Sequence, residues 1–276
     1  MAWAFGKKRR AGDAEALPPE RKAGQPLTYR TASLQGVGRR ERQEDSFAFA
    51  NDGDPEKIRQ QGLLCVVADG MGGLADGKDA SETAIASLLS DFSHFDPETD
   101  FAEQLNEAVN TANRGVYRKL GGKGGSTVVT GLIVKEQLYC SSVGDSYIFL
   151  LHDRRLFRLN RSQNVLNRDW LETIREGELD PDTAKRNPEK DAITQFLGMD
   201  ELDEIDYFRR PLKLTAGDVL LFCSDGVGGV LSPASLTDCL SYGSPEDMVR
   251  SMELGIKTCN LSYQDNYTAL VVQCRG

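Results

Sequence analysis

Histidine is nearly missing from this chain. Only His94 and His152 are present, and neither stands beside a glycine-rich or acidic motif. That argues against histidine-based nucleophile triads and His-ligated zinc, and leaves carboxylates and bound metal to carry any chemistry. The six cysteines (Cys65, Cys140, Cys223, Cys239, Cys259, Cys274) form no C-x-x-C pair. Most lie in apolar runs such as LLCVVAD and LLFCSDG. They read as buried reduced thiols of a cytoplasmic protein, not as a disulfide or zinc framework. No apolar run is long enough to span a bilayer. The basic opening MAWAFGKKRRAGDAEALPPERKAGQP has no apolar stretch of the secretory kind. Positive charge is in deficit as well: the formal net charge is −9 over 276 residues. An acidic surface argues against nucleic acid or an anionic membrane as partner, though not against a phosphate substrate with a cation between. The length is ample for one large domain with a real core. Residues 1–26, rich in proline, glycine and charge, are expected to form a disordered tail with KKRR solvated, and residues 27–276 a single domain.

From Leu27 onward strand-like and helix-like stretches alternate without an internal repeat. GLLCVVAD is a buried strand by its apolar run. KDASETAIASLLSDF puts Ala80, Ala84, Ile85, Leu88, Leu89 and Phe92 on one helical face, and FAEQLNEAVNTANRGVYRKL does the same with Phe101, Leu105, Ala108, Val109, Ala112, Val116 and Leu120. Then come STVVTGLIV, QLYCSSVGD, SYIFLLHD and RLFRL. Their separators KE, GD and DRR are too short for helical crossovers, so these strands are expected to be hairpin-connected and antiparallel. Residues 164–191 are polar, charged and partly helical, and read as a surface excursion. DVLLFCSDG, a helix around PEDMVRSMELGIKTC and a strand YTALVVQC complete the chain. Helices flanking antiparallel strands imply a layered α+β domain.

The segment VVADGMGGLADG runs a β-branched strand into Asp69 and then spends glycines freely. Other strands meet aspartate in the same way: LLFCSDG at Asp225, YQDNYTALVV at Asp265 and SSVGDS at Asp145. A charge at the edge of an apolar run is costly unless it is paired or bound to metal. Asp-Gly is also ordinary turn chemistry, which accounts for any one of them alone. Four together suggest convergent carboxylates, a hard-cation site for Mg²⁺ or Mn²⁺. Upstream, RRERQEDSF places Glu44 and Asp45 just after Arg39, Arg40 and Arg42. Alone this is a solvated charge run. Beside a metal site, an arginine fork could hold phosphate oxygens.

Taken in order, these motifs resemble the metal-dependent type-2C (PPM) serine/threonine protein phosphatases in their bacterial form. The resemblance rests on RRERQED at 39–45, VADGMGGLADGKDAS at 67–81, GGST at 124–127, SVGDS at 142–146, DAITQFLG at 191–198, SDGV at 224–227 and QDNYT at 264–268. It runs from about residue 30 to the end and includes a flap-like segment at 174–198. It implies an α-β-β-α sandwich of two antiparallel sheets flanked by helices, with two Mn²⁺ or Mg²⁺ ions at one end. By position, Asp69 would bridge both ions and the Gly70 carbonyl would bind one. Asp225 and Asp265 would hold the other. Glu44 and Asp45 would act through metal-bound water, and Arg40 would bind the substrate phosphate. Catalysis would then centre on Arg40 and Asp69, with a water bridging the ions attacking phosphoserine or phosphothreonine in line. Phosphoproteins of a Ser/Thr kinase are the implied substrates, and a monomer is expected.

Several positions depart from the family pattern. Met71 stands where many eukaryotic members carry histidine. Tyr147 comes after the GDS triplet in place of arginine, Ser162-Gln163-Asn164 replaces D-H-S, and Thr194-Gln195 replaces T-R. Gly229 takes the place of an aspartate that, with Asp145, forms a third metal site. Asp145 is therefore expected to hold a third ion weakly or not at all. Two rival readings stay open. Gly70-x-Gly72-x-x-Ala75 after a strand fits a loose dinucleotide loop, although the hairpin-rich middle does not suit a parallel sheet. A catalytically weak or inactive phospho-signalling module on the same fold is the other.

Overall fold

The computed structural model describes residues 26–72, 76–177 and 181–276. The tail expected over residues 1–26 lies outside these, apart from Pro26. The chain opens with β1 (Thr28–Gly36), β2 (Ser46–Ala50), α1 (Pro55–Gln61), β3 (Leu63–Ala68) and the short β4 (Gly70–Met71). Helices α2 (Asp76–Phe92) and α3 (Phe101–Leu120) come next, then β5 (Gly125–Ser126), β6 (Val128–Val134), β7 (Gln137–Val143), β8 (Tyr147–His152) and β9 (Arg155–Arg158). The polar excursion contains α4 (Val165–Arg175) and α5 (Pro181–Arg186). After it lie β10 (Asp206–Tyr207), β11 (Leu212–Lys213), β12 (Val219–Cys223), α6 (Asp225–Gly228), α7 (Pro233–Leu240), α8 (Pro245–Cys259) and β13 (Tyr267–Arg275).

Two antiparallel sheets stack face to face, with strand orders β1-β13-β12-β8-β9 and β10-β7-β6-β3-β2. Period-two alternation explains why the strands read as unbroken apolar runs. In β3, Leu64, Val66 and Ala68 face α2 and α3, while Leu63, Cys65 and Val67 face the other sheet. In β12, Leu220 and Phe222 point between the sheets, and Val219, Leu221 and Cys223 point to α7 and α8. Three apolar layers therefore separate the four layers of the α-β-β-α sandwich. Each fully buried leucine in them contributes about 1.5–3 kcal/mol. The amphipathic helices bury the expected faces, with Leu89, Phe101 and Leu120 at the partly covered rims.

One connection differs from the expectation. KE and DRR do join hairpins, β6 to β7 and β8 to β9. The GD connector does not: β7 belongs to one sheet and β8 to the other, so Gly144-Asp145-Ser146 carries the chain across the sandwich. Gly144 sits at φ +100, and a β-carbon there would come within 2.7 Å of the Thr127 side chain. A short connector thus excludes a helical crossover but does not require pairing with the next strand.

The edge strand β1 pairs with β13 in full antiparallel register, from Thr28 opposite Arg275 to Gly36 opposite Tyr267. At the Gly36 end the strands β1, β13, β12 and β8 present, side by side, the segments holding Arg40, Asp265, Asp225 and Asp145. Antiparallel order makes one strand start where its neighbour stops, so some of these acidic residues precede a strand and others come after one.

Candidate metal and phosphate site

Asp69 occupies the centre of this end, at the point where β3 stops. Its backbone is fixed by the GGST segment. The Thr127 N–H and the Ser126 hydroxyl donate to the Asp69 carbonyl at 2.8 and 3.0 Å, and the Asp69 N–H donates to Thr127 Oγ1 at 3.2 Å. Thr127 Oγ1 in turn lies 2.7 Å from Ser146 Oγ, which ties the GGST and GDS segments together. Gly70 pairs with Ser126 in the two-stranded β4–β5 ribbon. A β-carbon at Gly70 would stand 2.0 Å from the Gly77 carbonyl oxygen and 2.7 Å from that of Glu44. No larger residue fits there, so this glycine answers a close approach of three backbone segments. Gly73, Leu74 and Ala75 lie outside the described residues.

Asp45 is fully buried just before β2. Its Oδ2 accepts from the Ser224 hydroxyl at 2.9 Å, and that hydroxyl accepts from the Thr268 N–H at 3.0 Å. Its Oδ1 is buried and has no hydrogen-bond partner, and Asp225 Oδ1 is in the same position. The charges of Asp45 and Asp225 both act on the buried Asp69 carboxyl. Glu44 is held by its backbone, whose N–H donates to Asn266 Oδ1 at 2.7 Å. Its carboxylate packs at the first turn of α2, about 3.0 Å from where a Gly77 β-carbon would lie.

Electrostatics set this cluster apart. Burial, and then the charges of Asp45, Asp225, Asp145 and Asp265, hold the Asp69 carboxyl well above the usual carboxylate range. Burial pushes Asp45 up to about 6 against the pull of its Thr268 and Ser224 hydrogen bonds. Burial and Asp225 push Asp145 up to about 6, and burial and Asp265 raise Asp225. Two like charges about 4 Å apart near a protein surface repel by about 4 kcal/mol, so the ionised cluster needs positive charge. Arg40 supplies one cation, donating from Nη2 to Asp265 Oδ2 at 2.5 Å, and this pair raises the arginine further. Among the described residues, no three carboxylate, imidazole or thiol groups are placed to hold a metal ion by themselves. Oxygen-only donors, orphaned buried oxygens and excess negative charge fit a hard divalent cation and suit no soft metal.

All the residues singled out from the sequence lie at this end of the sandwich. Arg39, Arg40, Asp145, Asp225 and Asp265 line an open cleft of about 890 Å³, together with Tyr147, Asp191, Gly229 and Tyr263. Asp69, Gly70, Glu44 and Asp45 adjoin it along the second sheet. The two histidines are elsewhere: His94 bonds the Ser90 carbonyl, and His152 pairs with Asp218 at the opposite end. Four cysteines are buried free thiols, while Cys239 is half-buried and Cys259 exposed. Sequence reasoning missed the neutral residues that assemble the motifs. Asn266 donates to the carbonyls of Val37 and Arg42, both at 2.9 Å, and so anchors the arginine-bearing loop to β13. Gln163 grips Gly144 through two bonds, at 2.7 and 2.9 Å. For Asn266 the available signal was a polar residue between a motif aspartate and an apolar strand; Gln163 carried none of that kind.

Known proteins are similar to this chain in sequence and in fold. The Protein phosphatase 2C family profile matches residues 30–179. The serine/threonine phosphatase stp of Listeria welshimeri is 31% identical over 222 residues, covering 76% of this chain and 84% of its own. The crystal structure of the Mycobacterium tuberculosis serine/threonine phosphatase PstP/Ppp superposes with a TM-score of 0.72 at 25% identity, over 91% of this chain and 100% of that one. The PstP catalytic domain in complex with two manganese ions has the same fold, with a TM-score of 0.71 at 24% identity over 91% and 100% of the chains. The profile ends before Asp225 and Asp265, and the superposition with PstP/Ppp takes in 91% of this chain. With the motifs in order, the sandwich in place and the carboxylates gathered at one end of it, the chain belongs to the protein phosphatase 2C family.

Proposed function

We propose that this chain is a divalent-metal-dependent phosphatase acting on phosphoserine and phosphothreonine in proteins, with its centre built around Asp69. The observation that carries the reading is the pair of buried, unpartnered oxygens, Asp45 Oδ1 and Asp225 Oδ1, on two carboxylates whose charges act on Asp69. Asp69 and the Gly70 carbonyl would hold one Mn²⁺ or Mg²⁺, and Asp69, Asp225 and Asp265 a second. Such ions supply Lewis acidity and offset the charge of the phosphate.

The chain's own groups do the rest. Arg40 spends one N–H on Asp265, and the remaining donors of its planar fork are free to grip phosphate oxygens. Glu44 and Asp45 orient water from the β2 side, and Ser224 and Thr268 fix the Asp45 carboxylate. Met71 has no proton to give, so the leaving seryl or threonyl oxygen takes its proton from water in the cleft. Asp145 and Gly229 line the same cleft, and Gly229 offers no ligating side chain, so the reading has two ions and not a third. The substrates would be phosphoproteins made by a Ser/Thr kinase.

The test is hydrolysis of p-nitrophenyl phosphate and a short phosphothreonine peptide with Mn²⁺, before and after removal of metal by a chelator. Turnover should need metal and return when Mn²⁺ is restored. Undiminished turnover in the metal-free protein would overturn the metal assignment. No turnover of either substrate under any condition would favour a binding module.

A further inference from the structure

Tyr147 lines the cleft, yet it has no part in the proposed hydrolysis. Three contacts fix its ring. It stacks on Phe149 with centroids 5.5 Å apart and planes at 12°. The Arg158 guanidinium lies 4.2 Å from its centroid, and Arg158 is itself held by a 2.6 Å bond from Nη2 to Ser162 Oγ. The ring edge rests on Gly228, where a β-carbon would come within 2.5 Å of Tyr147 Cδ2. These contacts cover the ring and leave the hydroxyl. Tyr147 Oη points toward the exposed Gly229, 3.8 Å from where its β-carbon would be. It has no hydrogen-bond partner among the described residues. A rigid ring that delivers one unsatisfied donor to a cleft wall is arranged to meet something in that cleft.

The sheet order shows which part of a substrate it meets. Arg40 lies beyond the end of β1 and Tyr147 opens β8, with β13 and β12 between them. The Arg40 guanidinium reaches across to Asp265 at the head of β13, which leaves two strand spacings, roughly 10 Å, to Tyr147 and sets the tyrosine beside the group that Arg40 holds, not on it. On the Tyr147 side the cleft is bounded by Ser162 and by Asn164 and Asp191 of the polar excursion. We propose that Tyr147 is a specificity-determining residue, whose hydroxyl donates a hydrogen bond to the peptide main chain beside the phosphoresidue. It would thereby favour phosphopeptides over small phosphate esters. This rests on the reading of the cleft as a phosphoester site.

Tyr147→Phe removes the hydroxyl and keeps the ring packing. The experiment compares wild type and Y147F, with saturating Mn²⁺, on a short phosphothreonine peptide and on p-nitrophenyl phosphate. The ratio of kcat/KM for peptide over aryl ester should fall about five- to tenfold, as expected for one lost hydrogen bond. The change should appear mainly in KM for the peptide, with the melting temperature kept. An unchanged ratio overturns the proposal, whether both substrates are slowed equally or neither is slowed. If the wild type turns over neither substrate, the phosphoester reading of the cleft fails first, and that result differs from an unchanged ratio.

Discussion

Asp218 and Asp225 flank the same strand, β12, and end in opposite situations. Asp218 is buried and satisfied. Its Oδ1 lies 2.6 Å from His152 Nδ1, and its Oδ2 accepts from the Thr215 N–H at 2.8 Å. Asp225, seven residues later, has one buried oxygen with no partner and is raised by burial and by Asp265. The far end of the sandwich uses a carboxylate to close its own hydrogen bonds. The cleft end keeps one under electrostatic stress. Burial alone therefore does not mark a functional carboxylate; a missing partner inside a like-charged group does.

The largest effect expected from breaking this comparison comes from Asp225→Asn. It should lower kcat/KM with Mn²⁺ by about two orders of magnitude or more. The melting temperature should hold or rise, because an uncompensated charge is removed. Steady-state kinetics and a thermal melt decide it, and a large stability loss with normal turnover would put Asp225 in the same class as Asp218.

Arg40→Ala should come next, with about a tenfold or greater loss in kcat/KM and little change in melting temperature. The side chain is 59% exposed, so its ion pair contributes little to the fold. A variant with wild-type kinetics would direct attention to Arg39.

Asp218→Ala should invert the pattern. It orphans the Thr215 N–H and removes the His152 partner, a loss of about 1–3 kcal/mol measurable by urea unfolding, with turnover at permissive temperature retained. Lost turnover without lost stability would erase the distinction between the two ends.

The smallest effect is a pH dependence. The hydrogen bond and charge of Asp218 raise His152 above its ordinary 6.5. Folding thus favours the protonated imidazole, so its contribution is complete below 6.5 and disappears as pH rises through the raised folded value. The difference in melting temperature between wild type and His152→Gln should shrink on going to alkaline pH. A difference that grows with pH would reverse the sign of this linkage.

Much of this was legible in the sequence, and the legible part has a common physical origin. Alternation and apolar runs disclosed β3, β12 and β13, because burial on both faces leaves no room for charge. The same rule made Asp69, Asp145, Asp225 and Asp265 conspicuous, since each interrupts such a run. What stayed hidden depends on distance through space. In GDVLLFCSDG both aspartates look alike, and only the fold brings His152, 66 residues away, to the first. The crossing at Gly144 could not be told from a hairpin, because a short connector looks the same whether the next strand pairs or leaves. Ser224, Thr127 and Asn266 stand inside the quoted motifs, but their supporting roles were not legible, because small polar residues near a turn have many uses.

The register of β1 and β13 also has a mechanical consequence. Thr28 and Arg275 are paired although they lie 247 residues apart. Tension applied through them would pull both strands from the same end, breaking the ladder one rung at a time and not shearing it all at once. The tear would travel from Thr28 toward Gly36 and Tyr267 before it loaded the segments that hold Arg40 and Asp265. A pulled molecule would therefore yield first at its margin, and the cleft would feel the force only when the last rung had opened.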